Sequence, residues 1–254
     1  MLVDTHAHLQ MNKFNRDRDA VVERAKEAGV AYIINASFDI ASSHQAVRLA
    51  EEYDNLYAAV GVHPHDAKTL NDRGMKTLRK LAEHPKVVAI GEIGLDYYRD
   101  LSPRDIQKQA FENQIRLAKE TNLPIIIHNR DAHDDTLAVL KSHGEEYRGV
   151  MHCFSGDMDF ADKCIQLGLY ISFAGPVTYP KSHDLREVAA EVGDDAFFVE
   201  TDCPYLTPQF RRSKRNEPAY VRAIAEKIAE IRRVSLEEIA KSTTANAKEL
   251  FGIG

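Results

Sequence analysis

No glycine-rich phosphate loop follows the first apolar run of this chain, no cysteine lies in a CxxC pair, and no apolar stretch approaches the roughly 20 residues needed to cross a bilayer. Each absence excludes a class. An open, doubly wound nucleotide-binding sheet would carry the glycine loop where this chain has Thr5-His6-Ala7-His8-Leu9. The three cysteines, Cys153, Cys164 and Cys203, are odd in number, so they give no disulfide framework and fit a reducing compartment. Met1-Leu2-Val3-Asp4 puts an acid where a signal peptide needs basic and apolar regions. Low-complexity linkers, repeats and breaks in composition are also missing, which leads us to expect a single domain over residues 1–254, cytoplasmic and independent of membranes. Excess positive charge is lacking too. The net charge of −6 does not advertise nucleic-acid binding, although carboxylates gathered around a metal are neutralised once the metal binds.

What the chain does have is alternation. Eight short apolar runs, rich in Val and Ile, recur at Met1–Asp4, Ala31–Ala36, Leu56–Val60, Val87–Gly91, Pro124–His128, Gly149–Cys153, Leu169–Phe173 and Ala196–Glu200. Little polar alternation within them suits strands buried on both faces. Amphipathic stretches lie between: Arg18–Ala28, Ile40–Tyr53, a helix opened by Ser102 as N-cap and Pro103 at N1, then Asp134–His143, Asp159–Leu167, Leu185–Val192 and Pro218–Ile231. Ser235–Ser242 and Ala245–Phe251 read as a closing helical layer. Eight strands alternating with helices imply a parallel sheet, and eight is the number that closes a (β/α)8 barrel, here an α/β TIM barrel with extra C-terminal helices.

The chemistry concentrates at the ends of these strands. Side chains in a strand alternate faces, so His6 and His8 point the same way and can hold one divalent ion. Alone, such a pair is equally a polar strand cap. The fourth run leads into Glu92, the fifth ends at His128, the sixth at His152, and the eighth continues through Glu200 to Asp202. In a closed barrel these ends converge on one face. His6, His8, Glu92, His128, His152 and Asp202 make six nitrogen and oxygen donors, enough for two ions with a carboxylate such as Glu92 between them; the donor types suit Mg, Mn or Zn. Glu200, one layer deeper than Asp202, is expected to support a ligand rather than to be one. Cys153 and Cys203 directly follow donors, so strand alternation should turn them away.

These segments resemble the TatD-type metal-dependent deoxyribonucleases of the amidohydrolase-like barrels: DTHAHL (4–9), GVHPH (61–65), GEIGLDYY (91–98), PIIIHNR (124–130), HCFSG (152–156), ETDCPYL (200–206) and RNEP (215–218), in that order along the chain. The resemblance implies His6, His8, Glu92 and Asp202 around one metal and Glu92, His128 and His152 around a second. It also implies 3′–5′ exonuclease activity on DNA, with D-aminoacyl-tRNA deacylation among the activities of some relatives.

Around this set, Asp202 is expected to orient or deprotonate the attacking water and His63 to meet the phosphate or its transition state. Arg130 is a candidate phosphate clamp, as is Arg215 at the end of the basic run 211–215. A loop salt bridge is the bland alternative for Arg130, and a solvated face for the run. His65 reads as a loop histidine. Tyr97, Tyr98 and Tyr205 lie on rim loops, where they either stack on bases or simply pack. Three competing functions remain: D-aminoacyl-tRNA deacylation, an amidohydrolase-type hydrolase of small esters or amides, and an inactive metal- or nucleic-acid-binding barrel. Glu92 at the end of strand four disfavours the amidohydrolases that place a carboxylated lysine there. A monomer acting on DNA is the default expectation.

Overall fold

The eight apolar runs form eight parallel strands that neighbour one another in chain order in a computed structural model describing residues 1–254. They are β1 (Leu2–Ala7), β2 (Val30–Ala36), β3 (Leu56–Val60), β4 (Val87–Asp96), β5 (Ile125–Arg130), β6 (Gly149–Met151), β7 (Leu169–Phe173) and β8 (Phe197–Val199). Between and after them run α1 (Arg18–Glu27), α2 (Ile40–Glu52), α3 (Asp72–Ala82), α4 (Arg104–Thr121), α5 (His133–His143), α6 (Met158–Gln166), α7 (His183–Glu191), α8 (Val221–Arg232) and α9 (Leu236–Phe251). The expected (β/α)8 barrel is therefore the fold.

The seam between first and last strands is closed by side chains and by the turn after β8 rather than by a full ladder. Buried Asp4 accepts from the Thr201 amide at 2.8 Å and from the Thr201 hydroxyl at 2.6 Å. The Asp202 amide donates to the His6 carbonyl (2.9 Å), and the His8 amide to that of Cys203 (2.8 Å). The same contacts that close the barrel thus set Asp202 beside His6 and His8.

Apolar side chains fill both sides of the barrel wall. Val3, Ile34, Ala59, Ile126, Val150 and Phe198 pack inside it, and the end of α9 plugs the bottom with Leu250, Phe251 and Ile253. This apolar floor leaves the opposite end as the place where polar groups can gather.

Several boundaries differ from the sequence expectation. β4 does not stop at Gly91 but runs on to Asp96, buried throughout, so Glu92 lies within a strand. The helix α3 is unexpected because its apolar stripe is thin, with Gly74 and Leu78 its buried residues; Asn71 caps it through the Gly74 amide at 3.0 Å. Ser102 does not cap α4. Its hydroxyl donates to the His65 carbonyl at 2.8 Å, and Pro103 takes the N-cap position. The two closing segments are one helix, α9, opened by a Ser235–Glu238 capping box.

Candidate metal centre

One pocket at the C-terminal ends of the strands collects the polar residues. β1 supplies His6, β4 supplies Glu92 and Asp96, and β5 supplies His128; His8, His63, His152, Glu200 and Asp202 stand just beyond β1, β3, β6 and β8. Asp202 adopts a left-handed backbone, φ 55°, which few L-residues occupy without compensation from their surroundings. Gly94, at φ 139°, lets β4 press against β5 at His128, where a Cβ would collide with the His128 carbonyl oxygen.

The tightest group is His6, His8, Glu92 and Asp202. His6 Nε2 lies 3.2 Å from His8 Nε2, 3.3 Å from Glu92 Oε2 and 3.9 Å from Asp202 Oδ1. His8 Nε2 lies 3.8 Å from Glu92 Oε2 and 3.2 Å from Asp202 Oδ1. Donors about 2.1 Å from a common tetrahedral centre stand about 3.4 Å from each other, so this spacing is what one divalent ion requires. His8 also has a suitable tautomer available. Its Nδ1 sits 2.8 Å from the Ala36 carbonyl, which can only accept, so Nδ1 carries the hydrogen and Nε2 can offer a lone pair.

The other oxygen of Glu92 faces a second group. Oε1 lies 2.7 Å from His128 Nδ1, 3.4 Å from His63 Nε2 and 3.5 Å from His152 Nε2. Donors within one ion's reach here are His63, Glu92 and His128, while His152 also groups with His6 and Asp202 and stacks on His6 at 3.6 Å between centroids. His63 is thus nearer this group than its expected role at the phosphate suggests. His63 Nδ1 accepts the His65 amide at 3.1 Å, leaving the hydrogen on Nε2.

Burial acts on every one of these groups, and the neighbours decide the outcome. Burial raises the Glu92 pKa, but the His63, His152 and His6 rings and the His128 bond hold its carboxyl well below the usual range. Burial pulls His152 down, yet the Glu200 and Glu92 carboxylates lift it to about 10. His8 and His128 rise for the same reason, through Asp202 and through Asp96 with Glu92. His63 and His6 follow burial instead, His63 to about 4. The pocket's carboxylates are thus balanced by the protonated His152 ring and by a bias toward the charged forms of His8 and His128. Nitrogen and oxygen donors of this kind, at this spacing, fit divalent cations.

Residues flagged from the sequence sort as follows. Glu200 Oε1 lies 2.6 Å from His152 Nδ1 and accepts the Cys153 amide at 2.8 Å. Cys153 is not turned away as expected. β6 ends at Met151, the backbone of Cys153 is left-handed (φ 45°), and its thiol joins His152 and Glu200 in one cluster. Arg130 is exposed at the end of β5, its guanidinium 4.0 Å over the Tyr98 ring rather than on a carboxylate. Arg215 is drawn elsewhere: it forks onto Asp17 at 2.7 and 2.6 Å and donates to the Lys13 carbonyl at 2.7 Å.

Asp96 and His65 escape sequence reasoning. Asp96 is buried, and its Oδ2 meets His65 Nε2 at 2.8 Å and His128 Nε2 at 3.1 Å. It braces His128 from the side opposite Glu92. The available signal was period two along a longer β4, which puts residues 92 and 96 on one face.

Comparisons with known proteins show the family. The family model described as TatD related DNase matches residues 3–252. The chain is 50% identical over 254 residues to an uncharacterized metal-dependent hydrolase, YabD, of Bacillus subtilis, covering 100% of both. It is 38% identical over 258 residues to the 3′-5′ ssDNA/RNA exonuclease TatD of Klebsiella pneumoniae, covering 99% of this chain and 98% of that one. The crystal structure of YJJV, a TatD homologue from Escherichia coli, superposes with a TM-score of 0.94 at 34% identity, over 100% of this chain and 98% of the other.

Proposed function

Because the chain belongs to the TatD-related DNase family of metal-dependent hydrolases, we propose that it is a two-metal deoxyribonuclease that removes nucleotides from the 3′ ends of DNA. The observation that carries this reading is the spacing of 3.2 to 3.9 Å among His6, His8, Glu92 and Asp202, with the free oxygen of Glu92 turned to a second set of rings. In this proposal the first ion is held by His6, His8, Glu92 and Asp202, and the second by Glu92, His128 and His152; Mg, Mn and Zn all suit the donors. Bound divalent ions lower the pKa of a water molecule and neutralise charge on a phosphate.

The chain's own groups do the rest. Asp202 meets His6 and His8 through Oδ1, which leaves Oδ2 to orient the attacking water and take its proton. The water oxygen bonds to phosphorus, and the bond to the 3′ oxygen of the preceding nucleotide breaks. His63, neutral with its hydrogen on Nε2, donates to a phosphate oxygen as charge builds there. Arg130 grips a neighbouring phosphate with its planar fork. Glu200 holds the His152 ring in place. Arg211, Arg212 and Lys214, all exposed, offer the DNA backbone a basic rim, whereas Arg215 is committed to Asp17. No helix is long and apolar enough to cross a membrane; in this proposal the enzyme is a monomer working in the cytoplasm.

The test is release of mononucleotides from single-stranded DNA labelled at its 5′ end, assayed with Mg, Mn and Zn in turn. Wild type should shorten the strand from its 3′ end and Glu92→Ala should not. Hydrolysis confined to small esters would overturn the proposal.

A further inference from the structure

Tyr205 is a large aromatic side chain left 44% exposed at the edge of a buried polar pocket. Its ring centroid lies 6.3 Å from that of His8, at 71° between planes. The backbone beneath the ring is fixed. Its amide donates to the Asp202 carbonyl at 2.9 Å, and its carbonyl accepts from Asn216 Nδ2 at 2.6 Å. Fully buried Asn216 also bonds the Thr201 carbonyl at 2.8 Å. The ring is thereby held in register with Asp202 while close to half of it stays exposed, an arrangement that packing alone does not call for.

A cation accompanies it. Lys13 Nζ lies 4.9 Å over the Tyr205 ring centroid, from the short turn Asn12–Phe14 after β1. Arg215 secures that turn, donating to the Lys13 carbonyl, forking onto Asp17 and lying 4.7 Å over the ring of buried Phe14. The ammonium lies over the ring on a long, exposed side chain that can swing aside, so the pair matches a nucleotide with its base unstacked: the base takes the ring face and the adjacent phosphate meets the displaced cation. The distance from Tyr205 to His8 is about one nucleotide step, so a base on the plate would bring the neighbouring phosphate to the donor cluster.

We propose that Tyr205 and Lys13 form the subsite for the terminal nucleobase, stacking it and thereby selecting strand ends that are unpaired; this rests on the nuclease reading above. A paired terminal base is held against its neighbour and its complement, and cannot reach the plate without fraying. The contact uses a π-face that every base has, so the subsite tolerates any sequence.

The experiment compares wild type, Tyr205→Ala, Tyr205→Phe and Lys13→Ala on oligothymidylate ending in either a normal or an abasic 3′ nucleotide. Binding is read by fluorescence anisotropy in EDTA and cleavage by KM and kcat with Mn2+; circular dichroism and Mn2+ titration check each variant's fold and pocket. Tyr205→Ala is expected to weaken binding and raise KM roughly tenfold, Lys13→Ala by a smaller factor, and Tyr205→Phe to restore most of the affinity. The abasic end should weaken wild type about tenfold and leave Tyr205→Ala nearly indifferent. Wild-type affinity in Tyr205→Ala, or the same abasic penalty in both proteins, overturns the subsite while the nuclease reading stands. A wild type that neither binds nor cuts DNA with any ion overturns both.

Discussion

Glu92 Oε1 lies 2.7 Å from His128 Nδ1, and the far nitrogen of the same ring lies 3.1 Å from Asp96 Oδ2, so one imidazole is braced between two carboxylates of a single strand. That strand, β4, also presents the other oxygen of Glu92 to His6 and His8. Glu92 therefore reaches both groups of donors, one with each oxygen.

Glu92→Ala should remove both donor sets at once. Activity is expected to fall by about a thousandfold or more, on the order of 4 kcal/mol of transition-state stabilisation. Steady-state rates with saturating Mn2+ provide the check; a loss of only a few-fold would count against Glu92 as the common donor.

Glu200→Gln keeps the shape beside His152 but removes the charge. Metal affinity should drop about 10- to 100-fold, as is usual when the group orienting a ligand is lost. The metal-free protein should also melt lower, because the buried His152 ring loses the carboxylate that favours its charged form. Calorimetric titration decides. Unchanged affinity would mean that Glu200 serves the backbone of Cys153 alone.

Metal binding should release protons. Burial disfavours the charged forms of His8, His128 and His152, but nearby carboxylates outweigh it and raise all three, His152 to about 10. At about 10, His152 is protonated at neutral pH, the other two rings are biased the same way, and an ion needs all three neutral. Affinity must then climb as pH rises and weaken as it falls. Titrating Mn2+ in two buffers of different ionisation heat should reveal release of about one proton or more per chain; no release would contradict this account of the empty pocket.

Two substitutions away from the donors test the scaffold. Gly94→Ala would force a Cβ into the His128 carbonyl at a φ of 139°, and should destabilise the fold by about 3 kcal/mol and weaken metal binding with it. Glu217→Gln loosens the fork from Arg24, at 2.9 and 2.7 Å. With Arg24 41% exposed, the cost is discounted to about 1 kcal/mol. That corresponds to roughly 2–4 °C in Tm for a domain of this size. Urea and thermal unfolding measure both.

The six strand-end donors are legible because each follows a Val- and Ile-rich run, and a barrel brings such ends to one face. Asp96 is not, because Gly91 reads as the end of β4, whereas Gly91 and Gly94 are the means by which the strand passes close to β5. Its partner His65 goes unrecognised with it. Arg215 stands in a basic run that looks solvent-facing, and only tertiary structure pairs it with Asp17, 198 positions earlier. Cys153 is misread for a local reason: its left-handed backbone breaks the alternation on which its orientation was inferred.

Anomalous scattering from crystals soaked in Mn2+ puts the central claim to its most direct test. The account predicts two peaks flanking Glu92, one among His6, His8 and Asp202 and the other beside His128 and His152. An empty pocket, or manganese bound only elsewhere on the surface, would contradict it.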